Sequence, residues 1–144
     1  MNQEPIRILL VEDSESDVEL TVEALRGTTV PYELSVAVDG VEAMAYLRKE
    51  GLYSSAQRPH LLLLDLNLPR KDGKEVLAEI RSNADLKPIP VAVLTTSKAD
   101  SDISDSYQLG ANCFITKPVR LSEFFEIIAA IESFWLKVAR LPQD

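Results

Sequence analysis

A chain of 144 residues, 46% hydrophobic and 26% charged, suits one domain spanning 1–144 that buries enough surface to stand without staples. Its formal charge of −8 argues against a nucleic-acid partner, because phosphate binding needs clustered Lys and Arg. The single Cys113 excludes an internal disulfide, and the polar start MNQEP before an apolar run of only six residues predicts no signal peptide and no membrane partner, hence a cytoplasmic protein.

Taken in order, Ile6 to Val11 (IRILLV) reads as a buried strand that stops at the acids Glu12 and Asp13. From Ser14 the spacing turns helical, with Val18, Val22 and Leu25 on one face, Ser16 and Glu19 as a capping box and Gly27 past the C-terminus. Tyr32 to Val38 is a second strand, and Asp39, Gly40 and Glu42 open a second helix with Val41, Met44, Ala45 and Leu47 turned inward. The stretch from Glu50 to His60 has no periodicity and predicts a long loop; His60 falls at its end as a loop residue.

The run LLLL from Leu61 has no alternation, so both faces of this strand are covered, as in parallel sheets. It delivers Asp65 to a loop that contains Asn67, Pro69 and Gly73. A third helix carries Val76, Leu77 and Ile80. A fourth strand over Ile89 to Leu94 ends in Thr95, Thr96 and Ser97. A weak fourth helix, Asp100 to Leu109, has Ile103 and Tyr107 as anchors and stops at Gly110. A short fifth strand over Cys113 to Ile115 ends in Thr116, Lys117 and Pro118, and a long helix runs from Leu121 to about Ala139. Alternating strands and helices predict an α/β fold: a single doubly wound five-stranded parallel sheet with five helices and right-handed crossovers.

In such a sheet every carboxyl end lies on one edge, so Glu12, Asp13, Asp65, Thr95 and Lys117 converge if the strand order is the flavodoxin-like 2-1-3-4-5. Like charges about 4 Å apart repel by on the order of 4 kcal/mol at an effective dielectric near 20. A cation is therefore expected between Asp13 and Asp65. Oxygen ligands with no nearby histidine or cysteine favour Mg²⁺.

The acid pair Glu12 and Asp13, Asp65, Pro69, Gly73, Thr95 and Lys117 followed by Pro118 together resemble the receiver domain of two-component response regulators, over essentially the whole chain. The resemblance implies Asp65 as phosphoacceptor. It implies Mg²⁺ held by Asp13, Asp65 and the carbonyl of Asn67, with Glu12 acting through metal-bound water. Thr95 and Lys117 would contact the phosphoryl oxygens, Phe114 would be the switch aromatic, and the bond between Lys117 and Pro118 would be cis. The long connection before the third strand, Lys71 in a position often apolar, and a switch aromatic without a hydroxyl depart from the commonest pattern. The narrower likeness is to stand-alone regulators that serve bacterial phytochromes, which implies a sensor histidine kinase as partner. The downstream target is not legible.

Two rivals have a specific weakness each. A Mg²⁺-dependent aspartyl phosphohydrolase would carry a second aspartate two residues after the nucleophile, where this chain has Asn67. A flavin or nucleotide binder would need a phosphate-cradling loop after the first strand, where Glu12 and Asp13 would repel phosphate. The final helix carries more apolar residues than one sheet face needs. Leu121, Phe125, Ile128 and Trp135 form one stripe, with Phe124, Ile127, Ile131, Phe134 and Val138 beside it, so a homodimer through the face of the fourth helix, fifth strand and fifth helix is expected.

Overall fold

The computed structural model describes residues 4–143, so the first three residues of the polar start lie outside it. Five parallel strands, β1 (Ile6–Val11), β2 (Tyr32–Ala37), β3 (Leu61–Leu64), β4 (Val91–Thr95) and β5 (Cys113–Thr116), stand in the order β2-β1-β3-β4-β5. This is the expected order with its reversal between β1 and β3. The helices are α1 (Glu15–Leu25), α2 (Gly40–Leu47), α3 (Gly73–Ser82), α4 (Asp100–Gln108) and α5 (Leu121–Ile131).

The leucine run explains the layering. Successive strand side chains point to opposite faces, so Leu62 and Leu64 join a core with Ala43 and Met44 of α2 and Val76, Leu77 and Ile80 of α3. Leu61 and Leu63 join a second core with Leu25 of α1 and Phe124, Ile128 and Ile131 of α5. All four leucines are buried, as the missing alternation predicted.

Several local expectations shift by a residue or a face. The cap of α1 is Ser14, whose Oγ accepts from the Asp17 amide at 3.3 Å, so Ser16 lies inside the first turn. Gly27 follows the right-handed cap residue Arg26 and has no positive φ. In α2 the inward face is Gly40, Ala43, Met44 and Leu47, at i, i+3, i+4 and i+7, which turns Val41 outward. Tyr107 of α4 is half exposed rather than an anchor, and Ser106 is the buried residue. Lys74 of α3 ties α4 down instead, reaching Asp102 at 2.7 Å and Asp105 at 2.9 Å.

The last helix widens into π geometry over Glu132–Val138. The inward residue after Ile131 is therefore Leu136, five positions on, and the stripes read at α-helical spacing split: Phe124, Ile128 and Ile131 are buried, while Leu121, Phe134 and Val138 are exposed.

The connection before β3 contains one 3₁₀ turn, Gly51–Tyr53, and packs on α2 through the Tyr53 hydroxyl, which donates to Glu42 at 2.7 Å. His60 is buried, not a free loop residue: its Nδ1 accepts from the Arg7 amide at 2.9 Å, and Arg7 Nε donates to the Arg58 carbonyl at 2.7 Å. Arg81 joins α3 to the starts of β4 and β5 by donating to the carbonyls of Lys87, Ile89 and Gly110 and to Asn112.

Candidate functional site

Register sets the site. Val11 pairs with Leu64, so the next residues, Glu12 and Asp65, leave neighbouring strands side by side. The Asp65 amide donates to the Val11 carbonyl at 3.0 Å, which carries the pairing one residue past β3. Thr95 pairs with Thr116, and the Lys117 amide donates to the Thr95 carbonyl at 2.7 Å, which brings the lysine to the same edge.

Lys117 is the hub. Its ammonium, with a side chain only 4% exposed, bonds Glu12, reaches Asp17 Oδ2 at 2.8 Å and Asp65 Oδ2 at 3.2 Å. The cation that the clustered acids demanded is in part this lysine. Burial opposes its charge, but the Asp17 and Glu12 carboxylates outweigh burial and hold its pKa above the ordinary value. Asp65 Oδ1 accepts from the Asn67 amide at 3.2 Å, so both oxygens of this carboxylate are oriented.

Glu12, Asp13 and Asp65 each place one carboxylate oxygen within 4.8 Å of the others. Three hard oxygen donors with no soft ligand among them suit Mg²⁺, which keeps several waters when bound by few carboxylates. Asp13 and Asn67 are exposed and Glu12 and Asp65 are buried, so the group opens to solvent on one side. Thr95 is fully buried, and its Oγ1 has no hydrogen-bond partner. An orphaned buried hydroxyl costs about 1–3 kcal/mol. It stands at the end of β4, the strand that pairs with β3.

Phe114 is half buried and packs with the core on the α2 and α3 side, while its neighbours Cys113 and Ile115 face α5. Phe114 and the extra apolar residues of α5 thus lie on opposite faces of the edge strand, as strand alternation requires. The Phe114 amide donates to the Tyr107 hydroxyl at 3.2 Å, which ties β5 to α4. The Lys117–Pro118 bond is trans, like every peptide bond among the described residues, where the resemblance implied cis. The trans preference of an X–Pro bond is only about 0.5–1 kcal/mol, so the surrounding loop decides the isomer. Asp17 went unread as a site residue, since an acid in the first turn of a helix has a sufficient reason in the helix dipole.

Burial pushes the Glu12 carboxyl up from 4.5 to about 7, against the pull of the Lys117 hydrogen bond. The folded protein therefore retains a proton that the unfolded chain releases between those values. The stability this contributes is complete below 4.5 and is lost as pH rises through about 7. In chelator, the melting temperature is expected to fall across this window, and Mg²⁺ to reverse the fall by replacing the proton. Glu12→Gln should flatten the profile; a wild-type profile already flat would contradict the assignment.

Comparison with known proteins agrees with this geometry. The response regulator receiver domain model matches residues 8–129. Response regulator Rcp1 of Synechocystis sp. is 52% identical over 138 residues, 96% of this chain and 94% of that protein. The crystal structure of Rcp1 in its Mn²⁺-bound form superposes with a TM-score of 0.94, covering 96% of this chain and 100% of that one. The phosphorylated cyanobacterial phytochrome response regulator RcpA, 56% identical, does so with a TM-score of 0.94 over 97% of this chain and 100% of its own. With its five parallel strands in the order 2-1-3-4-5 and its acids, hydroxyl and lysine gathered at one edge, the chain belongs to the response regulator receiver domain family.

Proposed function

We propose that this receiver takes a phosphoryl group onto Asp65 from the phosphohistidine of a sensor kinase. An Asp65 carboxylate oxygen forms the new O–P bond, the P–N bond to the donor imidazole breaks, and that imidazole leaves with the electron pair. Lys117 neutralises charge on the transferring oxygens, and the Thr95 hydroxyl donates to one of them. Glu12, Asp13, Asp65 and the Asn67 carbonyl would hold Mg²⁺, which supplies further charge neutralisation when bound. No side chain needs to act as a base.

The single observation that carries this reading is the buried Thr95 Oγ1 without a partner, at the end of the strand next to the one that delivers Asp65 to Lys117. Incubation with acetyl phosphate and Mg²⁺ followed by intact mass tests it: one added phosphate supports it, and no added mass rejects it. The phosphohydrolase reading is disfavoured because Asn67, two residues after Asp65, cannot exchange a catalytic proton. The chain is thus read as a signalling acceptor rather than an enzyme acting on a separate substrate. Among the described residues no helix is long and apolar enough to cross a membrane.

The match to a phytochrome response regulator supports a phytochrome-type kinase as donor. The proposed output is self-association. Leu121, Phe134 and Val138 are exposed on the last helix, and a groove of about 640 Å³ between β5 and that helix is lined by Ile115, Ile127, Phe134 and Trp135. A symmetric pair is the commonest way to cover such a face. Sedimentation is expected to show a wild-type dimer tightened by phosphoryl donor and a monomeric Phe134→Glu. A wild-type monomer in both conditions rejects the dimer.

A further inference from the structure

We infer that Asp17 is a positioning residue for phosphoryl transfer, an anchor on α1 that keeps the Lys117 ammonium beside the acceptor without letting it settle onto the acceptor. The inference rests on the proposed role of Asp65.

A lysine ammonium has three N–H donors and no acceptor. Here all three are matched by carboxylates from three elements: Glu12 at the end of β1, Asp17 on α1 and Asp65 at the end of β3. Two of those partners have other work during transfer. Glu12 and Asp65 belong to the acid group that suits a divalent ion, and Asp65 is the nucleophile; Asp17 is outside that group. Once the metal and the phosphoryl group engage the other two, Asp17 is the carboxylate left to the lysine.

Its backbone is fixed for the purpose. The Asp17 amide donates to the capping Ser14 Oγ, the Asp17 carbonyl accepts from Thr21 Oγ1 at 2.8 Å, and the Ser14 amide donates to Glu12 Oε2 at 3.1 Å. Glu12, Ser14, Asp17 and Lys117 therefore close a ring of hydrogen bonds. Without Asp17, the ammonium keeps only Glu12 and Asp65 as partners and sits more fully on the two groups that must turn to metal and phosphorus.

The test measures phosphorylation by acetyl phosphate at saturating Mg²⁺ in wild type, Asp17→Asn, Asp17→Glu, Lys117→Ala and the double variant Asp17→Asn with Lys117→Ala. The maximal rate of Asp17→Asn is expected to fall by roughly tenfold, the lower end of what loss of an orienting outer partner costs. Asp17→Glu, which keeps the charge, should recover most of it. In the Lys117→Ala background Asp17→Asn should change nothing further, because the anchor has nothing to hold. A wild-type rate in Asp17→Asn overturns the inference, and so does an equal fall in the lysine-free background, which would mean that the charge acts on the metal site directly. Failure of the wild type to label would instead reject Asp65 as acceptor.

Discussion

Asp65→Asn is expected to carry no added phosphate after incubation with acetyl phosphate and Mg²⁺, under conditions that label the wild type fully. The loss follows from chemistry rather than from the fold. An amide is not a nucleophile toward phosphorus, yet it is nearly isosteric with the carboxylate and its oxygen can still accept from the Asn67 amide, as Asp65 Oδ1 does at 3.2 Å. Asp65 sits among Glu12, Asp13 and Asp17, with Lys117 as the buried cation between them. Removing one of these charges therefore leaves the lysine with two carboxylate partners and the sheet unaltered. Labelling of Asp65→Asn at the wild-type level would place the acceptor elsewhere.

Gly73→Ala is expected to lower stability, because the added methyl group meets backbone at the site itself. A Cβ there would lie 2.3 Å from the Asp65 carbonyl oxygen and 2.6 Å from Leu66 Cα. Both are backbone atoms, and the Gly73 amide is itself bonded to the Leu66 carbonyl at 2.9 Å, so no rotamer relieves the contact. Either α3 moves off the sheet or the segment carrying Asp65 moves. Overpacking of this kind costs about 3 kcal/mol, or roughly 10 °C in melting temperature. The propensity gained by replacing glycine in a helix, about 0.5–1 kcal/mol, does not offset it. Because the clash bears on Asp65 itself, labelling should slow at temperatures where the variant is still folded. An unchanged melting curve would show that the loop yields without cost.

The sheet was legible because each buried strand is a run without alternation and each ends in a polar residue: Val11 before Glu12, Leu64 before Asp65, Leu94 before Thr95. Those endings also announced the site, since a parallel sheet puts them on one edge. What escaped was whatever depends on contacts between distant elements. Asp17 has a local excuse for being acidic, and only the fold reveals that Lys117, a hundred residues on, reaches it. His60 looked like a loop residue because its partner, the Arg7 amide, is fifty-three residues away. The inward residue Leu136 was hidden by the change to π spacing after Ile131, which no α-helical period anticipates.

The separation between Lys117 and its acids also bears on how the chain is made. On the ribosome, Glu12, Asp13, Asp17 and Asp65 all emerge well before Lys117, whose contacts to Glu12 and Asp65 span 105 and 52 residues. A nascent chain that has paired β1 with β3 thus carries a set of crowded acids with no internal counter-ion. Capture of a dissolved cation relieves them until β5 arrives. Docking of β5 is a late, non-local event, and it both completes the sheet and neutralises the edge. Ambient Mg²⁺ should therefore speed the early steps of folding in a chain truncated before β5, and matter less to them once the lysine has been synthesised.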